Sequence, residues 1–214
     1  MIFVLIIVFA YLLGSVPFGF MVAKAHGKDL REIGSGNIGA TNTGRVLGKK
    51  WGVICLVLDS LKGLVPMLIT KTQIGENPSV GQLWLWLAVG CAAIIGHVFP
   101  VYLKFKGGKG VATSLGMVLG LFPYYTLAGV IAFGIWLAVL LTWRYVSLAS
   151  ITAAIAFPVV LVVLILVAET WYFSNLWPLI VVAFAMSILV IVRHVENIKR
   201  ILEGSEGKIL TKKA

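Results

Sequence analysis

Carboxylates are scarce in this chain. Its 214 residues hold 8 Asp and Glu against 18 Lys and Arg, with 3 His. The few acids are scattered, and no His–His or His–Cys pair stands at a ligand spacing, so neither a metal nor another cofactor is expected. Both cysteines, Cys55 and Cys91, fall in apolar runs. They read as buried thiols, not as a disulfide or metal pair. Charge of either sign is sparse, at 12% of residues, while 60% are hydrophobic and the mean hydropathy is +1.01. That balance excludes an ordinary soluble domain and describes an integral membrane protein. The length allows several spans and no separate soluble domain, so residues 1–214 are expected to form a single polytopic unit. There is no internal repeat of the transporter kind and no low-complexity linker. The first segment lacks a basic leader, which argues against a cleaved signal peptide, although Ala23-Lys24-Ala25 imitates a cleavage site.

A bilayer-crossing helix needs ~20 mostly apolar residues. Met1–Ala23, Gly52–Thr70, Val80–Leu103, Val146–Ala168 and Leu176–Val192 qualify. The run Val111–Leu141 is too long for one span, since helical residues at ~1.5 Å each would carry it ~46 Å against a hydrocarbon core of ~30 Å. Phe122 to Thr126, FPYYT, supplies a break and interfacial tyrosines. Two short helices or a re-entrant hairpin are expected there, returning the chain to the side it left. The fold class is therefore all-α, with seven transmembrane helices. Every basic residue except Lys62, within a span, and Lys71 then falls on one side of the membrane. The excess of Lys and Arg on cytoplasmic loops puts the C-terminus in the cytoplasm and the N-terminus outside. The net charge of +10 is split between short loops, which fits anionic headgroups and substrates and argues against nucleic acid.

Phe105 to Thr113 reads FKGGKGVAT at the mouth of an apolar run. A glycine-rich turn with a central lysine, opening into a helix, can hold phosphate. Backbone N–H groups face the anion, the helix dipole adds partial positive charge, and Lys109 supplies a full one. Gly107, Gly108, Lys109, Gly110 and Thr113 are the candidates. This is not a Walker A loop, because Val111 follows Gly110 and no hydroxyl follows Lys109. A tight cytoplasmic turn is the plain alternative. A second glycine-rich stretch, GSGNIGATNTGR from Gly34 to Arg45, adds Ser35, Asn37, Thr41 and Asn42 as small or hydrogen-bonding groups and Arg45 as a planar fork for phosphate. If Ala40 onward is helical, Asn42 and Arg45 share a face. A mere connector would not explain both asparagines and an arginine beside apolar segments.

Other polar residues sit at span ends. His97 lies in GHVFP, as a structural hydrogen-bonder or a ligand. Ser147, in RYVSLAS, resembles an N-cap and can equally face a phosphate. In RHVENIKR, His194 and Asn197 are neighbours at i,i+3, Glu196 and Arg200 form an expected surface pair, and the segment continues as an amphipathic helix along the headgroups. Asp59 and Lys62 within the second span are expected to neutralise each other at i,i+3. The strong candidates all lie at cytoplasmic ends of different spans, and are expected to converge on one interfacial site rich in anion-binding groups.

These motifs, SGNIGATN followed by Arg45, GHVFP, FKGGKGVAT, RYVSLAS and HVENIKRILEG in that order, resemble the bacterial acyl-phosphate-dependent glycerol-3-phosphate acyltransferases of the PlsY type. The resemblance covers nearly the whole chain. It implies a reaction in which acyl phosphate and sn-glycerol 3-phosphate give 1-acyl-glycerol 3-phosphate (lysophosphatidic acid) and phosphate, the entry step of phospholipid synthesis in the bacterial inner membrane. It also implies phosphate contacts for Ser35, Arg45 and Lys109, and places Ser147, His194 and Asn197 around the reacting groups. The residues agree with that chemistry. An acyl phosphate is already activated, so positioning and charge stabilisation suffice without a metal. No His is followed by Asp five positions on, a pattern of many thioester-dependent acyltransferases. An anion permease would show paired mid-membrane breaks in two halves, and a lipid phosphatase would need a nucleophile with an Asp or His partner; neither is apparent. A monomer facing the cytoplasm is expected.

Overall fold

The computed structural model describes residues 1–209; Lys212 and Lys213, part of the basic tail, lie outside the described residues. The chain divides into two compact units, Met1–Leu121 and Phe122–Ala214. Among the described residues six segments are long and apolar enough to cross a membrane: Ile2–Ala25, Lys49–Ile74, Val80–Leu103, Tyr124–Trp143, Val146–Val167 and Phe173–Val192. A seventh apolar helix, Val111–Gly120, is shorter.

The first unit holds α1 (Ile2–Ser15), α2 (Phe18–Ala25), α3 (Ala40–Leu47), α4 (Lys49–Ile74), α5 (Val80–Val98) and α6 (Val111–Gly120). The first apolar segment is not one continuous helix. Pro17 has no N–H to donate and disfavours helical backbone in the residue before it. Val16 is accordingly extended, at φ −63° and ψ 115°, and the helix breaks between α1 and α2. Small residues then let helices approach closely. A Cβ on Gly14 would collide with the carbonyl of Ala93, and one on Gly96 with that of Tyr11, so α1 lies directly against α5. A Cβ on Gly116 would collide with the Ser60 carbonyl, and one on Gly120 would meet Met67. Residues 116 and 120 thus meet α4 in ascending order, and α6 runs parallel to α4. Ser79 and Gln82 cap the start of α5 reciprocally.

The second unit holds α7 (Tyr124–Trp143), α8 (Val146–Val167), α9 (Phe173–Val192) and α10 (Val195–Leu202). Tyr125 and Phe157 pack edge to face at 5.1 Å between ring centres. The Tyr125 hydroxyl donates to the Leu179 carbonyl at 2.7 Å, which ties α7 to α9. The break expected at FPYYT falls between Gly120 and Tyr124. It does not leave two short helices: α6 has 10 residues and α7 has 20. The proline stands near the start of the long run, so α7 keeps enough apolar residues, at ~1.5 Å rise each, to match the ~30 Å core.

Candidate active site

Side-chain amides and an ion cluster shape the first glycine-rich loop. The Asn42 side chain is 2% exposed. Its amide nitrogen donates to the carbonyls of Leu30, Ile33 and Asn37 at 3.2, 3.0 and 2.9 Å, and its oxygen accepts from the Ser35 N–H at 3.0 Å. Asn37 accepts from the Gly39 N–H at 2.9 Å. Leu30 and Ile38 anchor the loop against Ala23 in a small apolar core. Before it, Asp29 receives Arg31 at 2.6 Å and Lys24 at 3.1 Å. The hydrogen bonds from Arg31 hold the Asp29 carboxyl far below the usual carboxylate range. Helix α3 begins at Ala40 as expected, but Asn42 points inward while Arg45 is exposed, as is Ser35. The structure therefore brings Asn42 and Asn37 together as the loop's frame, with Ser35 and Arg45 on its outer surface.

The second glycine-rich loop is not a row of bare N–H groups. Gly107 N–H donates to the Val98 carbonyl at 3.1 Å and Gly108 N–H to the His97 carbonyl at 3.0 Å. Gly110 adopts φ 84°, a left-handed conformation that suits glycine, and α6 starts directly after it. Gly107 and Gly108 thus tie the loop back to the end of α5. Thr113 is fully buried, its hydroxyl donating to the Asp59 carbonyl at 3.0 Å. Asp59 and Lys62 do form the expected internal pair, with Oδ1 and Nζ 2.6 Å apart.

In the second unit a buried carboxylate gathers the candidates. Glu206 Oε1 accepts from the Ser147 hydroxyl and from the Asn197 amide, each at 2.8 Å, and Oε2 accepts from Arg200 Nε at 2.8 Å. Burial pushes the Glu206 carboxyl up, but the donors Arg200, Asn197 and Ser147 outweigh it and hold it below its ordinary value. Ser147 is thus not an N-cap: Tyr145 holds that position and Ser147 lies inside the first turn of α8. Nor does Arg200 pair with Glu196, which meets Lys199 at 3.4 Å on the exposed face. His194 stands at the corner before α10, 3% exposed, with Nδ1 2.7 Å from the Val190 carbonyl. A carbonyl only accepts, so Nδ1 carries a proton and Nε2 of the neutral ring is an acceptor. Sequence reasoning passed over Glu206. Acids are not rare in this tail, which also holds Glu196 and Glu203, and only the place of Glu206 between Gly204 and Gly207 sets it apart.

The family model for glycerol-3-phosphate acyltransferase matches residues 4–204. The chain belongs to the glycerol-3-phosphate acyltransferase family. It is 46% identical to the glycerol-3-phosphate acyltransferase of Geotalea daltonii over 204 residues, covering 95% of this chain and 96% of that one. It is 45% identical to the corresponding protein of Aquifex aeolicus over 205 residues, covering 95% and 97%. Among solved structures it is similar to PlsY, an integral membrane glycerol 3-phosphate acyltransferase, in its glycerol 3-phosphate form. That likeness has a TM-score of 0.84 at 42% identity over 98% of this chain and 96% of the other. The lysophosphatidic acid form of PlsY matches with a TM-score of 0.81 at 42% identity, over 97% and 95%.

Proposed function

We propose that this chain transfers a fatty acyl group from an acyl phosphate to the 1-hydroxyl of sn-glycerol 3-phosphate, giving lysophosphatidic acid and inorganic phosphate, the first step of bacterial phospholipid synthesis. The reading is carried by its likeness, over nearly the whole chain, to PlsY in glycerol 3-phosphate and lysophosphatidic acid forms. The donor is argued from chemistry. Acyl phosphate brings its own good leaving group, and the site offers cations and hydrogen-bonding groups with no metal-ligand cluster among the described residues.

Ser35, Arg45, Lys109 and the Gly110 end of the glycine loop hold phosphate. Asn37, Asn42, Gly107, Gly108 and Thr113 act by shaping the two loops that present those groups. Ser147, His194 and Asn197 serve the reacting groups, with Asn197 fixed by Glu206 so that its amide nitrogen is already engaged. His194 Nε2 accepts from the substrate hydroxyl and orients it. The hydroxyl oxygen attacks the acyl carbon, the bond from that carbon to the phosphate oxygen breaks, and the departing phosphate takes the proton. The protein supplies position and charge stabilisation.

The enzyme sits as a monomer in the bacterial inner membrane, with α6 completing seven membrane segments. Its N-terminus is outside, and its C-terminus and active site are cytoplasmic, following the basic loops. Purified enzyme given an acyl phosphate should release phosphate only when glycerol 3-phosphate is added, in step with lysophosphatidic acid. Release independent of the acceptor would indicate a phosphatase instead.

A further inference from the structure

A cleft in the first unit is lined by Ser15, Pro17, Phe18, Asp59, Lys62 and His97, among others. Three of these are ionisable and almost fully buried, Asp59 at 2%, Lys62 at 1% and His97 at 6% exposure. Charge inside a membrane segment is costly unless paired. Neutralisation explains Asp59 and Lys62, 2.6 Å apart in an ion pair that lies off ideal hydrogen-bond alignment. It does not explain His97, whose Nδ1 stands 3.5 Å from the Lys62 ammonium and 3.8 Å from Asp59 Oδ1. An ammonium cannot accept, so a neutral ring facing it would accept at Nδ1 and carry its proton on Nε2.

That far edge of the ring meets the glycine loop. A methyl group on Gly108 would overlap His97 Nε2, and one on Gly107 would run into the carbonyls of His97 and Val98. The main chain repeats the contact through the Gly107 and Gly108 N–H groups. At the loop's other end the Thr113 hydroxyl reaches the Asp59 carbonyl at 3.0 Å. The segment from 107 to 113 therefore touches the cluster through the His97 ring at one end and the main-chain carbonyl of Asp59 at the other, while Lys62 and His97 join α4 to α5.

We propose that Asp59, Lys62 and His97 are positioning residues that set the glycine-rich loop, and with it Lys109, in the conformation that holds a substrate phosphate. This rests on the loop's reading as a phosphate site. The phosphate belongs to either acyl phosphate or glycerol 3-phosphate, and separate KM values for the two substrates tell which.

The test is a size-exchange cycle on the full-length enzyme in detergent, with melting temperature followed throughout. Gly108→Ala should raise one KM by roughly tenfold while changing kcat less. His97→Asn keeps an oxygen near the Nδ1 position for Lys62 and clears space for the new methyl. The double variant should then recover toward the His97→Asn single variant, a non-additivity that general destabilisation does not give. The near-isosteric pair Asp59→Asn with Lys62→Met, which leaves no unpaired charge, should raise the same KM. Additive effects in the cycle, or losses confined to kcat and melting temperature, would overturn the proposal. Lys109→Ala is the control. If it raises a KM and the cluster variants do not, the clasp is refuted alone; if it leaves both KM values unchanged, the phosphate reading of the loop fails and the clasp falls with it.

Discussion

Ser147 and Asn197 donate to the same oxygen of Glu206, each at 2.8 Å. The serine lies in the first turn of α8 and the asparagine in the first turn of α10, so one carboxylate fixes two helix starts. Arg200 neutralises it from the other oxygen. In Glu206→Gln, an oxygen facing Ser147 and Asn197 would leave the amide nitrogen against the Arg200 guanidinium, donor to donor. Losing a charge-assisted hydrogen bond costs ~1.5–3 kcal/mol, so turnover should fall at least about tenfold and the melting temperature should drop. Wild-type turnover in Glu206→Gln would remove this role.

The same carboxylate predicts an acid-sensitive fold. Its folded pKa lies below its ordinary value, so its contribution to stability is fully present above the unfolded pKa of ~4.3 and is lost as pH falls through the lower folded value. Wild-type melting temperature should decline on acidification from about pH 5 to about pH 3, and the decline should be shallower in Glu206→Gln. Parallel curves for the two proteins would assign the acid sensitivity elsewhere.

Lys109→Ala and Arg45→Ala should each remove most activity with little change in melting temperature. Arg45 is exposed on α3, and Lys109 lies in a loop whose shape is set by neighbouring glycines. Loss of a charge-assisted bond to an anion, ~1.5–3 kcal/mol, corresponds to about tenfold or more. Variants with both KM values and kcat near those of the wild type would refute the proposed phosphate contacts.

Much of this architecture was legible because it is local. Apolar runs located the membrane segments, and the i,i+3 spacing located the Asp59–Lys62 pair. The Val16–Pro17 break was lost because hydropathy reads through a proline that the backbone cannot. Glu196 and Arg200 have good helical spacing, yet Arg200 turns to Glu206, which offers burial and further donors in place of a solvated pair. The contact between Gly108 and His97 crosses a turn that no periodicity encodes. Asn42 looked like a ligand for the same reason that it makes a frame: a side-chain amide can satisfy several loop carbonyls at once.

The donor gives a separate prediction. Acyl phosphate should support turnover and acyl-coenzyme A should not, since the proposed contacts of the two glycine-rich loops are those a phosphate needs and a nucleotide would require more. Lysophosphatidic acid production from each donor at equal concentration checks this. Comparable rates with the thioester would refute acyl phosphate as the specific donor.

The proton supplies the last prediction. An imidazole, with an unperturbed pKa of ~6.5, is the usual general base. Yet Nδ1 of His194 faces a main-chain carbonyl, that of Val190, where a base of the triad type would face a carboxylate. A carbonyl orients the ring but stabilises an imidazolium much less than an anion would. The leaving phosphate is adjacent to the reacting bond and gains negative charge as that bond breaks, so it is the better acceptor. In the proposed mechanism His194 then holds the hydroxyl in line, a contribution from orientation. Asn at 194 can still donate to the Val190 carbonyl, and Gln can still place an oxygen near the Nε2 position, although neither can take up the proton. Both should retain clearly more activity than His194→Ala. If Asn, Gln and Ala are equally inactive, and a single ionisation in the wild-type pH–rate profile disappears in all three, His194 is the base and the phosphate is not.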